Sequence, residues 1–299
     1  MPVSDAGNRP VIFGEVLYDC FPDGEVVLGG APFNVAWHLQ GLGLSPLFIS
    51  RVGDDPLGRR VRDVMERRGM DTSGLQLDSA HPTGKVNISF SGNSHSFDII
   101  PDQAYDYIAD DALPPLPDNA LFYHGSLAAR SPVSARTLSL LCRQFGDNRL
   151  VDVNLRAPWW QRDNVLALLD GARLLKLNDE ELLQLAPGAS DDVARMRQLI
   201  DAAGLQLLVL TRGADGAELM TGTGEVYRVA PEAVTRVVDT VGAGDALTSV
   251  LVLGLQHGWS YSVTLERSQA FASAIVGHRG ATVEAADFYR PFIEAWNLP

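Results

Sequence analysis

Short, unbroken apolar runs alternate along this chain with stretches of helical period. Residues 10–14 (PVIFG), 46–52 (PLFISRV), 121–123, 150–153, 174–177 and 206–210 (QLLVL) show little polar alternation. Strands of that kind have both faces covered, as in a parallel sheet flanked by helices. Helical patterns fall between them. One runs from Asp55-Pro56 to Arg68 and closes at Gly69, with an acidic N-cap, a first-turn proline and a terminal glycine. A second covers 192–203, capped by Ser190 or Asp191 and closed by Gly204. Residues 242–255, 261–276 and 285–296 make the last third helical. Strands alternating with helices predict an α/β layered fold, taken as a single domain over 1–299.

Two stretches break this rhythm. Residues 16–30 (VLYDCFPDGEVVLGG) place a Pro-Asp-Gly turn between short apolar strands, which is a hairpin pattern. Residues 83–100 alternate Val86, Ile88 and Phe90, then Phe97 and Ile99, around a Ser-Gly-Asn turn. Alternation leaves one strand face wet or lying over a ligand. Together the two segments predict a small β-sheet set apart from the main body, a lid. The plainer alternative is two surface hairpins with no shared role.

Composition narrows the class. Of 299 residues, 46% are hydrophobic and 20% charged, which suits a globular chain with a real core and argues against disorder. No apolar run approaches the ~18 residues a membrane span needs. The start, MPVSDAGNRP, lacks the basic-then-apolar pattern of a secretory signal, so a cytoplasmic protein is expected. The net charge of -13 provides no basic footprint for nucleic acid. An acidic chain that held a polyphosphate would need Mg²⁺, backbone N–H groups or a few placed cations. Cys20 and Cys142 are far apart and outside any CxxC pattern, which fits reduced structural cysteines. HExxH and similar ligand spacings are absent, as are the Walker A loop and the GxGxxG fingerprint.

Candidate chemistry lies in Asp239-Thr240-Val241-Gly242-Ala243-Gly244-Asp245, between an apolar, strand-like run (Val234, Val237, Val238) and an apolar helix. Glycines at a helix start permit a tight bend and expose unpaired N–H groups, which makes an anion site. A carboxylate there would repel phosphate, so Asp245 suits a base that takes a proton from an attacking hydroxyl. Asp239 could face Mg²⁺, another cation or a ribose. Taken alone, the segment reads equally well as a Gly-rich turn with a capping Asp. A second stretch, Leu28-Gly29-Gly30-Ala31-Pro32-Phe33-Asn34-Val35-Ala36, ends the first hairpin and opens a helix. Its glycines allow close backbone approach by a ligand, and Asn34 both donates and accepts, which suits a sugar hydroxyl.

These two segments resemble the signatures of the ribokinase-like PfkB family of carbohydrate kinases. The first is matched at Gly29, Gly30, Asn34, Ala36, Gly43 and Gly53; the second over Asp239 to Asp245, with a departure at Val250 where the family usually has Gly or Ala. The resemblance implies a three-layer α/β/α sandwich with a β lid. It implies Asp245 as catalytic base and Gly242, Ala243 and Gly244 as the anion hole. It implies Asp19, with Gly30 and Asn34, on the sugar. Asn178-Asp179-Glu180-Glu181 resembles the family's Asn-x-x-Glu motif, placing Asn178 and Glu181 near Mg²⁺, which Glu181 would reach through water. Thr211, Gly213 and Gly216 resemble the nucleotide-side Thr-x-Gly-x-x-Gly. His278-Arg279-Gly280-Ala281 resembles the stretch flanking the adenine and monovalent-cation sites, with Gln269 in place of the adenine-side Asn.

The segment Asp152-Val153-Asn154-Leu155-Arg156, with Pro158-Trp159-Trp160, resembles bacterial fructokinases and 2-keto-3-deoxygluconate kinases, with Arg156 on phosphate or a sugar-acid carboxylate. Gly14-Glu15 and Val27 to Pro32 are more like fructokinase. Only Lys85 and His95 are basic in 83–100, which favours a neutral sugar. The expectation is an ATP- and Mg²⁺-dependent kinase of a ketohexose, D-fructose, with 2-keto-3-deoxygluconate or another sugar of the family as the alternative, and a silent sugar or nucleotide sensor as the reading from another class. Potassium activation stays open, and an exposed apolar lid face would support a homodimer.

Overall fold

The computed structural model of this chain describes residues 9–91, 94–231 and 237–299. The Ser-Gly-Asn turn, the His95 side chain and Val234 lie outside what it describes. Among the described residues, nine strands form one sheet in the order β13-β12-β11-β10-β9-β8-β1-β4-β5. The strands are β1 (Val11–Phe13), β4 (Leu47–Gly53), β5 (Leu75–Asp78), β8 (Phe122–His124), β9 (Arg149–Asp152), β10 (Leu174–Asn178), β11 (Leu207–Thr211), β12 (Ala217–Thr221) and β13 (Val226–Val229). From β5 to β11 the pairings are parallel; β12 and β13 add antiparallel at the edge.

The central strands are largely apolar because helices cover both faces. Ile12, Phe48, Tyr123 and Leu174 pack into a core shared with α1 (Ala31–Gly41), α2 (Pro56–Arg67), α7 (Ala243–His257) and α8 (Tyr261–Val276). Their strand neighbours Val11, Phe13, Ile49 and Phe122 face the opposite side, against α3 (Pro132–Phe145). Val151, Leu175, Leu177 and Leu208 do the same against α4 (Arg162–Leu169), α5 (Asp179–Leu185) and α6 (Asp192–Ala203). The period-2 alternation of a strand thus divides two apolar layers, giving the three-layer sandwich. The last helix, α9 (Ala286–Trp296), closes a fourth cluster with Val250, which is fully buried in α7.

Both anomalous segments enter a second, four-stranded sheet. Its order is β3-β2-β6-β7, built from β2 (Leu17–Cys20), β3 (Val26–Gly29), β6 (Gly84–Ser91) and β7 (Ser94–Ile99). The outer pairs are antiparallel hairpins, and a parallel β2–β6 pairing, Leu17 opposite Gly84, joins them. In the first turn Gly24 adopts φ 87°, which explains its glycine. The root of β6 is tied to the body through Asp55. This residue caps α2 by accepting from Gly58 N at 2.8 Å, and also accepts from Thr83 N and Thr83 Oγ1, each at 2.8 Å.

Three corrections arise. The run at Val237 and Val238 is irregular and exposed, not a strand. β5 was not anticipated, because LQLD offers only two apolar residues. Nor were β12 and β13; β12 carries Glu218 in an otherwise buried strand, and the mixed polarity of β13 reflects its place at the sheet edge.

Candidate active site

The carboxyl ends of the central strands, the first turn of α7 and the small sheet converge on one polar region. Gly242 is the N-cap of α7 with φ 79°, and Ala246 N to Gly242 O at 2.8 Å is the first bond of the helix. The N–H groups of Gly244 and Asp245 precede that bond and have no intrahelical acceptor. Glycine is required at Gly242, and Gly244 leaves little room for a side chain. A Cβ on Gly242 would lie 2.4 Å from Ala281 Cα, and one on Gly244 would lie 3.0 Å from Lys176 Nζ.

Asp245 occupies the first turn of α7, half-buried, and its Oδ2 accepts from Asn34 Nδ2 at 2.8 Å. Asn34 is only 4% exposed and belongs to α1, whose N-cap is Gly30. Gly30 has φ 108°, and a Cβ there would lie 2.7 Å from the carbonyl oxygen of Glu15. The structure therefore joins the two glycine-rich segments side by side. Burial pushes the Asp245 carboxyl up to about 6, against the hydrogen bond from Asn34; Asp152 adds to the rise, while Lys176 and Arg156 oppose it. Asp19, on β2, is likewise pushed up by burial to about 6, with Arg156 pulling the other way. Arg156 is exposed, and its charge is felt by Asp19, Glu15 and Asp245 alike. Asp19, Gly30, Asn34, Arg156 and Asp245 are thus brought together.

Beneath the helix start lies an ion pair that the sequence reading did not single out. Lys176 Nζ reaches both oxygens of Asp152, at 3.1 and 3.0 Å, and Thr248 Oγ1 donates to Asp152 Oδ2 at 3.0 Å. Both charged side chains are buried. Burial works against the Lys176 charge, but the Asp152 and Glu181 carboxylates outweigh it and raise its pKa. The signal was present in LLKLN, where one charge interrupts an apolar strand. Glu15 was also missed as a site residue. It is 4% exposed, and burial pushes its carboxyl up to about 7.

The nucleotide-side residues divide. Thr211 ends β11 in register with Asn178 at the end of β10. Gly213 and Gly216 turn the chain between β11 and β12 with φ 52° and 92°, and a Cβ on Gly216 would meet Val229 O at 2.0 Å. Arg212 is committed to Asp192 at 2.7 Å. Asn178 and Glu181 form a capping box. Glu181 N donates to Asn178 Oδ1 at 2.8 Å, and Asn178 N donates back to Glu181 Oε2 at 2.9 Å. Glu181 Oε1 accepts from Leu155 N at 2.9 Å, so both carboxylate oxygens hold backbone. Asp239 similarly accepts from Val241 N and Gly280 N, each at 3.0 Å, tying the segment before α7 to the 278–281 stretch. Gln269 is buried on α8 with its amide near Ser273 Oγ at 3.4 Å, and Ser273, not Gln269, is half-exposed. Among the described residues, no group of three or more His, Cys, Asp or Glu side chains could cage a metal ion.

A family model described as "pfkB family carbohydrate kinase" matches residues 15–287. A fructokinase of Klebsiella pneumoniae is 32% identical, over 83% of this chain and 84% of its own length. An aminoimidazole riboside kinase of Salmonella typhimurium is 30% identical, over 98% of this chain and 95% of its own. Among solved structures, a fructokinase of Vibrio cholerae O395 with fructose, ADP and a calcium ion bound superposes with a TM-score of 0.80 at 25% identity. The match covers 96% of this chain and 99% of that one.

Proposed function

The chain belongs to the pfkB family of carbohydrate kinases, and from that premise we propose that it transfers the γ-phosphoryl group of ATP to a primary hydroxyl of a ketohexose, D-fructose. The observation that carries this reading is the Asn34–Asp245 contact at 2.8 Å, which sets a half-buried carboxylate beside unpaired N–H groups at the start of α7. Asp245 accepts the proton of the attacking hydroxyl, which makes the oxygen a nucleophile as the phosphoryl group moves. The Gly242, Ala243 and Gly244 backbone stabilises the phosphoryl oxygens, with the α7 dipole aimed at the same charge. Asp19, Gly30 and Asn34 orient the sugar, and Arg156 holds phosphate. Thr211, Gly213, Gly216 and Asp239 border the nucleotide, and Gln269 acts there through Ser273.

Mg²⁺ bound with ATP would neutralise phosphate charge, and Asn178 and Glu181 would meet it only through water. A monovalent cation would lie near Asp239 and the 278–281 stretch. Strands β2, β3, β6 and β7 act as the lid, closing water out of the acceptor site. Phe97 is 55% exposed on this sheet, which supports a lid-to-lid homodimer. With ATP as donor, the reaction belongs in the cytoplasm.

The test is a coupled ADP-release screen over fructose, tagatose, ribose, 2-keto-3-deoxygluconate, aminoimidazole riboside and adenosine. Fructose giving the highest kcat/KM supports the reading. A preference for the keto-acid or the riboside would transfer the assignment to that substrate. ADP release that no acceptor accelerates would leave the sugar-kinase chemistry itself without support.

A further inference from the structure

Glu15 follows β1 in the segment leading to β2, with its backbone carbonyl against Gly30 and its side chain in the interior. It is 4% exposed, and its Oε2 finds no hydrogen-bond partner among the described residues. Five charged or titratable groups from separate parts of the fold act on it or feel its charge. They are Arg156 after β9, Asp245 on α7, Arg130 after β8, Tyr105 in the turn after β7 and Tyr123 on β8. None forms an ion pair with it: Arg130 gives Nε and Nη2 to Asp106, both at 2.8 Å, and its buried Nη1 has no partner among the described residues. Asp245 is engaged by Asn34 and Arg156 is exposed. An ionised carboxylate without a paired cation is costly in such a place. A neutral carboxylic acid is not, and it carries an O–H that can donate. Asn34 Oδ1 and the Tyr123 hydroxyl are also buried without hydrogen-bond partners among the described residues, and Asn34 is the residue that holds Asp245.

We propose that Glu15 is a positioning residue for phosphoryl transfer that works as a neutral hydrogen-bond donor, so that it adds no negative charge beside Asp245. The proposal rests on the reading of Asp245 as the base. Two carboxyls whose fields overlap cannot both ionise freely, and the one with the weaker set of partners keeps its proton. Asp245 has the Asn34 hydrogen bond; Glu15 has nothing equivalent from another residue. The raised pKa of Glu15 agrees with that division, since burial pushes it above Asp245, and the Asp245 charge adds to the effect.

The experiment is the pH profile of kcat/KM for wild type, Glu15→Gln and Asp245→Asn, using the best acceptor from the screen. It is accompanied by infrared titration of the carboxylic-acid carbonyl band in wild type and Glu15→Gln without substrate. Wild type should rise as Asp245 ionises, then fall as Glu15 ionises at higher pH. Glu15→Gln keeps a neutral donor of the same shape. It should retain activity within about threefold of the wild-type maximum, lose the alkaline fall and lack the infrared band that wild type shows near neutrality. An unchanged alkaline limb, or no difference in the band, overturns the proposal. If Glu15→Gln does not fold, the band is followed in wild type, Asp245→Asn and Asp19→Asn: its absence from wild type near neutral pH overturns the proposal, as does its loss in either variant, and its persistence in both supports it. Near-normal turnover by Asp245→Asn would instead remove the base reading, whatever Glu15 does.

Discussion

Asp245 and Lys176 are neighbours with opposite requirements. As the proposed base, Asp245 has to be ionised to take a proton, yet burial lifts its pKa to about 6. Below that value the base is protonated, so kcat/KM should fall about tenfold per pH unit on the acid side. Asp245→Asn should cut kcat by roughly 10²–10⁴-fold while sugar binding stays within a few-fold, measured by steady-state kinetics and calorimetry. Lys176 is a matter of stability first. Lys176→Met would leave Asp152 buried with only the Thr248 hydroxyl, and should cost about 3–5 kcal/mol in urea unfolding. The double variant with Asp152→Asn should recover part of that loss. Asp245 and Asn34 were legible in the sequence because each lies beside glycines whose spacing is itself informative. Glu15 was not, since nothing in a linear string distinguishes a buried carboxyl from a solvated one. Lys176 was half legible, as a lone charge in an apolar strand.

At the scale of elements, the parallel strands declared themselves through their unbroken apolar runs, and the capped helices through their ends. What stayed hidden was pairing. Either hairpin of the small sheet could be read locally, but the parallel β2–β6 join connects segments far apart and has no local signature. The Asp55 side chain shows the same limit. Its N-cap role was visible in Asp-Pro, whereas its grip on Thr83 depends on the fold. Asp55→Ala should therefore have two separable effects. Losing the cap should cost about 1 kcal/mol in thermal or urea unfolding. Releasing the root of β6 should raise the KM for the sugar several-fold more than the KM for ATP. Equal changes in both constants would mean that the tie serves the body and not the small sheet.

For the whole molecule, the net charge of -13 opposes an anionic co-substrate at long range. In the proposed reading the helix start, Arg156 and Mg²⁺ act only close by. Raising salt from about 0.01 to 0.15 M shortens the screening length from about 30 to 8 Å, which removes the distant repulsion before the local attraction. At fixed, saturating Mg²⁺, kcat/KM for ATP should rise on the order of twofold across that range. A steady fall would show that local basic groups dominate the approach. The Asn34–Asp245 contact also bears on how the molecule is made. Its partners are 211 positions apart, one near the start of the chain and one in the last quarter. A polypeptide still emerging from the ribosome presents Asn34 and its glycines long before the carboxylate arrives. With Asp245 as the proposed base, phosphoryl transfer cannot start on an unfinished chain, and fragments cut short of α7 should release no ADP however well their earlier strands have formed.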